Sequence, residues 1–125
     1  MKILFIDDEE LTLKIGRLML ESWGHNVSTA NNGADGLKLL KQQSFDLILL
    51  DLMMPGIYGL DVLRQIKANK SWLDIPVILQ TGVSNSSDIE QGRKLGATIM
   101  TKPYDSDTLK TYVEHLCKNL LEVAN

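Results

Sequence analysis

Short apolar runs alternate with longer stretches in which apolar residues return every three or four positions. This is the βαβ pattern of a parallel sheet joined by crossover helices. The strand-like runs are Ile3–Asp7, Asn26–Ala30, Asp46–Asp51, Pro76–Gln80 and Thr98–Thr101. "DLILLD" and "IPVILQ" are nearly continuous apolar runs, which suits central strands covered on both faces. "NVSTA" alternates, with Val27 and Thr29 on one side, and reads as an edge strand.

Five helices fit between and after these runs. The first carries an apolar stripe of helical period at Leu11, Ile15, Leu18 and Met19, and "WGHN" stops it at Gly24. The second runs from about Ala34 to Gln42, after the turn-forming "NNG". The third covers Gly59 to Ala68. The fourth starts at a capping box, Ser87 with Glu90, and Gly92 weakens it. The fifth presents Leu109, Tyr112, Val113, Leu116 and Leu120, with Asp105 or Ser106 as its cap.

Composition narrows the class without changing the picture. The 125 residues, 44% hydrophobic and 23% charged, suit one domain over residues 1–125. No apolar stretch spans a membrane and no signal peptide opens the chain, so a cytoplasmic protein with no membrane partner is expected. The single cysteine, Cys117, forms no internal disulfide. A net charge of −3 without a basic run argues against direct contact with nucleic acid.

The polar residues that interrupt the pattern all fall at strand ends: Asp7 and Asp8, Asp51, Thr81 and Lys102. In open α/β sheets, ligands bind beyond the carboxyl ends of the strands where strand order reverses. For the order 2-1-3-4-5 that point lies between strands one and three, so Asp7, Asp8 and Asp51 converge. Clustered carboxylates raise one another's pKa unless a cation relieves them, and oxygen ligands open to water suit magnesium. A threonine hydroxyl and a lysine ammonium beside such a site are the parts that hold a phosphoryl group. Aspartate can itself be the nucleophile that receives it.

These residues resemble the receiver domains of two-component response regulators, over essentially the whole chain. "FIDDEE" resembles the acidic pair after strand one and "LDLMMPGIYGLDVL" the phosphoacceptor segment. "VILQTG" resembles the strand-four threonine, and "TKPY" the lysine–proline pair. The resemblance implies a flavodoxin-like (βα)5 doubly wound sheet in the order 2-1-3-4-5. It implies that Asp51 is phosphorylated from a phosphohistidine on a sensor histidine kinase or histidine phosphotransfer protein. Asp7, Asp8, Asp51 and the backbone carbonyl of Met53 would hold Mg2+, while Thr81 and Lys102 would hold phosphate oxygens. The Lys102–Pro103 bond would be cis, and the output surface would be helix four, strand five and helix five, with Arg93, Lys94, Tyr104 and Lys110 on it.

Two features depart from the family pattern: Ile99 stands where an aromatic switch residue is usual, and "GATIMTKP" is one residue shorter than the usual spacing between the Gly-Ala pair and the lysine. Met53 and Val83, two positions after Asp51 and Thr81, cannot orient a water for attack, which implies a long-lived phosphorylated state. A magnesium-dependent phosphatase with an aspartyl-phosphate intermediate is the alternative of a different class, but the second aspartate it needs is Met53 here. A phosphorylation-independent binding module is the third reading. Glu9 and Glu10 read as first-turn helix acids, and His25 and His115 as residues remote from the site.

Overall fold

In the computed structural model, which describes residues 1–54, 56, 58–82, 86–102 and 105–124, five parallel strands form one sheet. They are β1 (Lys2–Ile6), β2 (Asn26–Ala30), β3 (Leu47–Asp51), β4 (Val77–Thr81) and β5 (Thr98–Thr101), in the order β2-β1-β3-β4-β5. The helices are α1 (Glu10–Ser22), α2 (Gly33–Gln42), α3 (Gly59–Ala68), α4 (Ser86–Lys94) and α5 (Ser106–Ala124). The expected fold and strand order are therefore observed, with boundaries displaced by one residue at most in the strands. Among the described residues, no helix is long and apolar enough to cross a membrane.

Two apolar layers hold the sheet. Leu4, Ile6, Ile48, Leu50, Val77 and Leu79 point to the face covered by α2 and α3. Ile3, Phe5, Leu47, Leu49, Ile78 and Met100 point to the other, covered by α1 and α5. Strand alternation produces this division, since successive side chains leave opposite faces. The central strands β3 and β4 are buried along their whole length, as continuous apolar runs require. Trp72 packs partly buried against the first layer.

The structure corrects the reading of α1. Leu11, Ile15 and Leu18 are 62%, 55% and 67% exposed, and the buried residues are Leu13, Gly16 and Leu20. Both triplets have helical spacing, so periodicity alone does not choose between them. Close packing does: a β-carbon at Gly16 would lie 2.3 Å from the Phe5 ring, so only glycine lets α1 approach β1 on this side. The capping box is also corrected. Helix α4 begins at Ser86, which puts Ser87 inside it rather than at its cap. At α5 the cap is Asp105, whose Oδ1 accepts from the Thr108 N–H at 2.7 Å. Helix α2 starts one residue early, capped by Asn32, whose side chain accepts from the Asp35 N–H.

Candidate functional site

Strands β1 and β3 are neighbours; Asp7 follows the last residue of β1, and Asp51 is the last residue of β3. Asp7 donates its N–H to the Ala30 carbonyl at 3.1 Å, and Leu52 donates to Gln80 at 2.8 Å. Asp7, Asp8 and Asp51 thus meet at the carboxyl edge, each with a carboxylate oxygen within 4.8 Å of the others'. Asp7 and Asp51 are buried, and Asp8 is exposed. Glu9 lies at the cap of α1 and Glu10 in its first turn, outside this cluster. The Glu9 N–H donates to Asp7 Oδ1 at 3.0 Å, so the start of α1 itself orients the Asp7 carboxylate.

Lys102 follows β5, where its N–H donates to the Thr81 carbonyl at 2.7 Å. Its Nζ reaches back across the edge to within 3.1 Å of Asp7 Oδ2 and 3.6 Å of Asp51 Oδ1. Thr81 is buried at the end of β4, and Met53 is exposed just past Asp51. The structure therefore gathers Asp7, Asp8 and Asp51, sets Lys102 against Asp7 and Asp51, and places Thr81 at the end of β4 and Met53 just past Asp51. The Lys102–Pro103 bond, Tyr104 and Val83 lie outside the described residues. His25 Nδ1 accepts from the Met1 ammonium at 3.0 Å, remote from the acidic edge.

The electrostatics follow from burial. The Asp51 carboxyl is pushed up to about 6, chiefly because its charge is removed from water. Asp7 and Asp8 push in the same direction, while Lys102 and the Met53 N–H pull back. The Asp51 charge is therefore poorly solvated, and two more carboxylates lie beside it. A hard divalent cation fits that donor set, since it accepts oxygen ligands and relieves their repulsion.

The loop after β3 is shaped by Gly59. A β-carbon there would lie 2.4 Å from the Asp51 backbone oxygen and 2.7 Å from Leu52 Cα. Only glycine lets the first turn of α3 close onto the segment that follows Asp51, where its N–H donates to Leu52 O at 3.1 Å. Tyr58, just before it, donates its hydroxyl to Asp88 on α4, which raises the Tyr58 pKa to about 12. This link between the β3–α3 connection and α4 was not foreseen, although Tyr58 stands openly in "GIYGL". Gln80 was missed as well: it is a polar residue inside "IPVILQT", and its place beside Asp51 is visible only once the strands are in register.

On the far side of β5, Arg93, Ile99, Thr101, Asp105, Thr108 and Tyr112 line a groove of about 420 Å³. Ile99 lies partly buried against the core, with no aromatic side chain in its place.

The chain matches the family model for the response regulator receiver domain over residues 3–114. It is 38% identical to protein PilH of Pseudomonas aeruginosa, over 86% of this chain and 90% of PilH. It is also 38% identical to the cell cycle transcriptional regulator CtrA of Caulobacter vibrioides, over 87% of this chain but 47% of CtrA. The chain thus spans about half the length of the transcriptional regulators it matches. Among solved structures, a response regulator receiver domain protein from Clostridium thermocellum superposes with a TM-score of 0.86. That pair is 32% identical, covering 96% of this chain and 98% of the other. A receiver domain of a histidine kinase from Syntrophus aciditrophicus gives a TM-score of 0.87 at 28% identity, covering 94% and 90%.

Proposed function

This chain belongs to the response regulator receiver family, and from that premise we propose that Asp51 is its phosphoacceptor. The observation that carries the proposal is one lysine lying against two of three converging carboxylates at the switch point of the sheet. Receiver domains act as phosphorylation-dependent signalling switches in two-component systems. On this reading residues 1–125 form one such domain, which works in the cytoplasm and takes its phosphoryl group from a sensor histidine kinase or histidine phosphotransfer protein.

The chemistry assigns each side chain a task. Asp51 attacks phosphorus with one carboxylate oxygen, and the donor's nitrogen–phosphorus bond breaks as the oxygen–phosphorus bond forms. Asp7, Asp8, Asp51 and the Met53 backbone carbonyl would hold Mg2+, which when bound neutralises charge on the carboxylates and the phosphoryl oxygens. Lys102 leaves Asp7 and Asp51 for one phosphoryl oxygen, and the Thr81 hydroxyl donates to another. The response travels to the α4–β5–α5 side, where Arg93, Lys94 and Lys110 belong to the surface offered to a downstream protein. The chain turns over no substrate beyond gaining and losing its own phosphoryl group.

The test is chemical. Incubation with acetyl phosphate and Mg2+ yields a protein-bound phosphate that hydroxylamine removes, as an acyl phosphate requires. A label that survives hydroxylamine, or forms equally well in a chelator, contradicts the proposal. Repeated hydrolysis of small phosphate esters would favour the phosphatase reading instead.

A further inference from the structure

Helix α4 is attached to the domain differently from its neighbour α3. From α3, Leu60, Val62, Leu63 and Ile66 are buried in the core. The sequence of α4, "SSDIEQGRK", offers one large apolar side chain, Ile89, which is half-buried. Its close approach to the sheet is made by Gly92, where a β-carbon would lie 2.8 Å from Leu79 Cδ2 and 3.2 Å from Ile99 Cδ1. A helix that buries so little apolar surface is easily displaced. Polar ties from α3 supply part of what the core does not. Arg64 Nη2 donates to Gln91 Oε1 in solvent, and the Tyr58 hydroxyl donates to Asp88 in a partly buried position.

Tyr58 does not do what its place in the chain usually asks. It occupies the N-cap of α3, where a serine, threonine, aspartate or asparagine accepts from a free helix N–H. Its own side chain makes no capping bond. That side chain reaches α4 instead and passes the acidic edge on the way, with Met53 Sδ 3.5 Å from the hydroxyl oxygen. Met53 in turn donates its N–H to the Asp51 carboxylate. A continuous series of contacts thus runs from Asp51 through Met53 and Tyr58 to Asp88, in the first turn of α4.

We propose that Tyr58 is a latch between the acidic edge and α4, through which a divalent cation at Asp51 restrains α4. The inference rests on the reading that Asp51 and the Met53 carbonyl are cation ligands. With both held, the chain between Asp51 and Tyr58 has less freedom, and the hydroxyl that restrains α4 is fixed with it. Such coupling is reciprocal, so the latched form also binds the cation more tightly. Phenylalanine at position 58 keeps the ring and breaks the series at a single atom.

Amide hydrogen exchange in chelator and in saturating Mg2+, with calorimetric titration of Mg2+, tests the latch. In the wild type, Mg2+ is expected to slow exchange across α4 about fivefold, the effect of one hydrogen bond. In Tyr58→Phe that response is expected to vanish, and half-saturation by Mg2+ to weaken by a similar factor. Asp88→Ala should give the same losses, and the double variant no more than either single one. An α4 response of wild-type size in Tyr58→Phe overturns the latch, as do additive losses in the double variant. Faster exchange throughout β1 and β3 also overturns it, by marking a general loss of stability. If residues 51–54 respond to Mg2+ in the wild type and α4 does not, the latch alone fails. If residues 51–54 ignore Mg2+, the cation-site reading fails, and this proposal with it.

Discussion

The Nζ of Lys102 lies 3.1 Å from Oδ2 of Asp7, a residue 95 positions earlier in the chain. Asp7 is almost fully buried, so this contact neutralises a charge that water cannot reach. Lys102→Met leaves the carboxylates of Asp7 and Asp51 facing each other without a cation. In chelator the variant is expected to lose about 1–3 kcal/mol of stability in urea unfolding. Added Mg2+ should then stabilise it by more than it stabilises the wild type. Equal stabilisation of the two would show that lysine and cation do not share the same carboxylates.

Asp51→Asn isolates the cost of the buried charge. The folded-state value of about 6 exceeds the ordinary 3.8, so between these the folded chain binds more protons than the unfolded one. Its contribution to stability is therefore greatest below about pH 4, declines as pH rises to about 6, and is level beyond. In cation-free buffer Asp51→Asn should be more stable than wild type by on the order of 2 kcal/mol above pH 6. The difference should close towards pH 4. A gain independent of pH would mean that burial of the charge is not its source.

Gly59→Ala probes the close approach of α3 to the segment that follows Asp51. Its new β-carbon meets backbone atoms of Asp51 and Leu52, which cannot move aside as a flexible side chain would. A loss of about 3 kcal/mol in urea unfolding is expected, against the small gain that alanine gives at an unhindered helix start. Wild-type stability would show that the segment yields without cost.

Tyr58→Phe removes the hydroxyl that joins the β3–α3 connection to Asp88 on α4. The expected result is a loss of about 1 kcal/mol and faster amide hydrogen exchange in α4. Unchanged exchange there would show that the link does not restrain the helix.

Met53→Asn tests lifetime. Met53 is exposed beside Asp51, and a carboxamide in its place can hold a water near the acyl phosphate. Phosphate loss is expected to accelerate several-fold, on the order of the effect of one added positioning hydrogen bond, as followed by decay of the phosphorylated mass. No acceleration would remove the reason for expecting a long-lived phosphorylated state.

The legible features were those where chemistry interrupts a pattern. Asp51, Thr81 and Lys102 each close an apolar run, so their place at strand ends followed from the sequence, and the parallel topology then gathered them at one edge. The buried face of α1 was not legible. Leu11, Ile15 and Leu18 repeat with the same period as Leu13, Gly16 and Leu20, and a glycine contributes nothing to an apolar count although it makes the closest contact. The start of α4 was ambiguous because adjacent serines offer alternative starting points in "SNSSD". Gln80 was hidden inside an apolar run, since its register opposite Asp51, 29 residues away in the chain, is visible only across the sheet. Tyr58 is a similar case, because its partner Asp88 belongs to a different helix.

The most direct test of the account is an intact-mass measurement after incubation with acetyl phosphate and Mg2+, on the wild type and on Asp51→Asn. The account predicts one added phosphate on the wild type and none on the variant. An equal mass shift on both would place the phosphate elsewhere and contradict the assignment of Asp51.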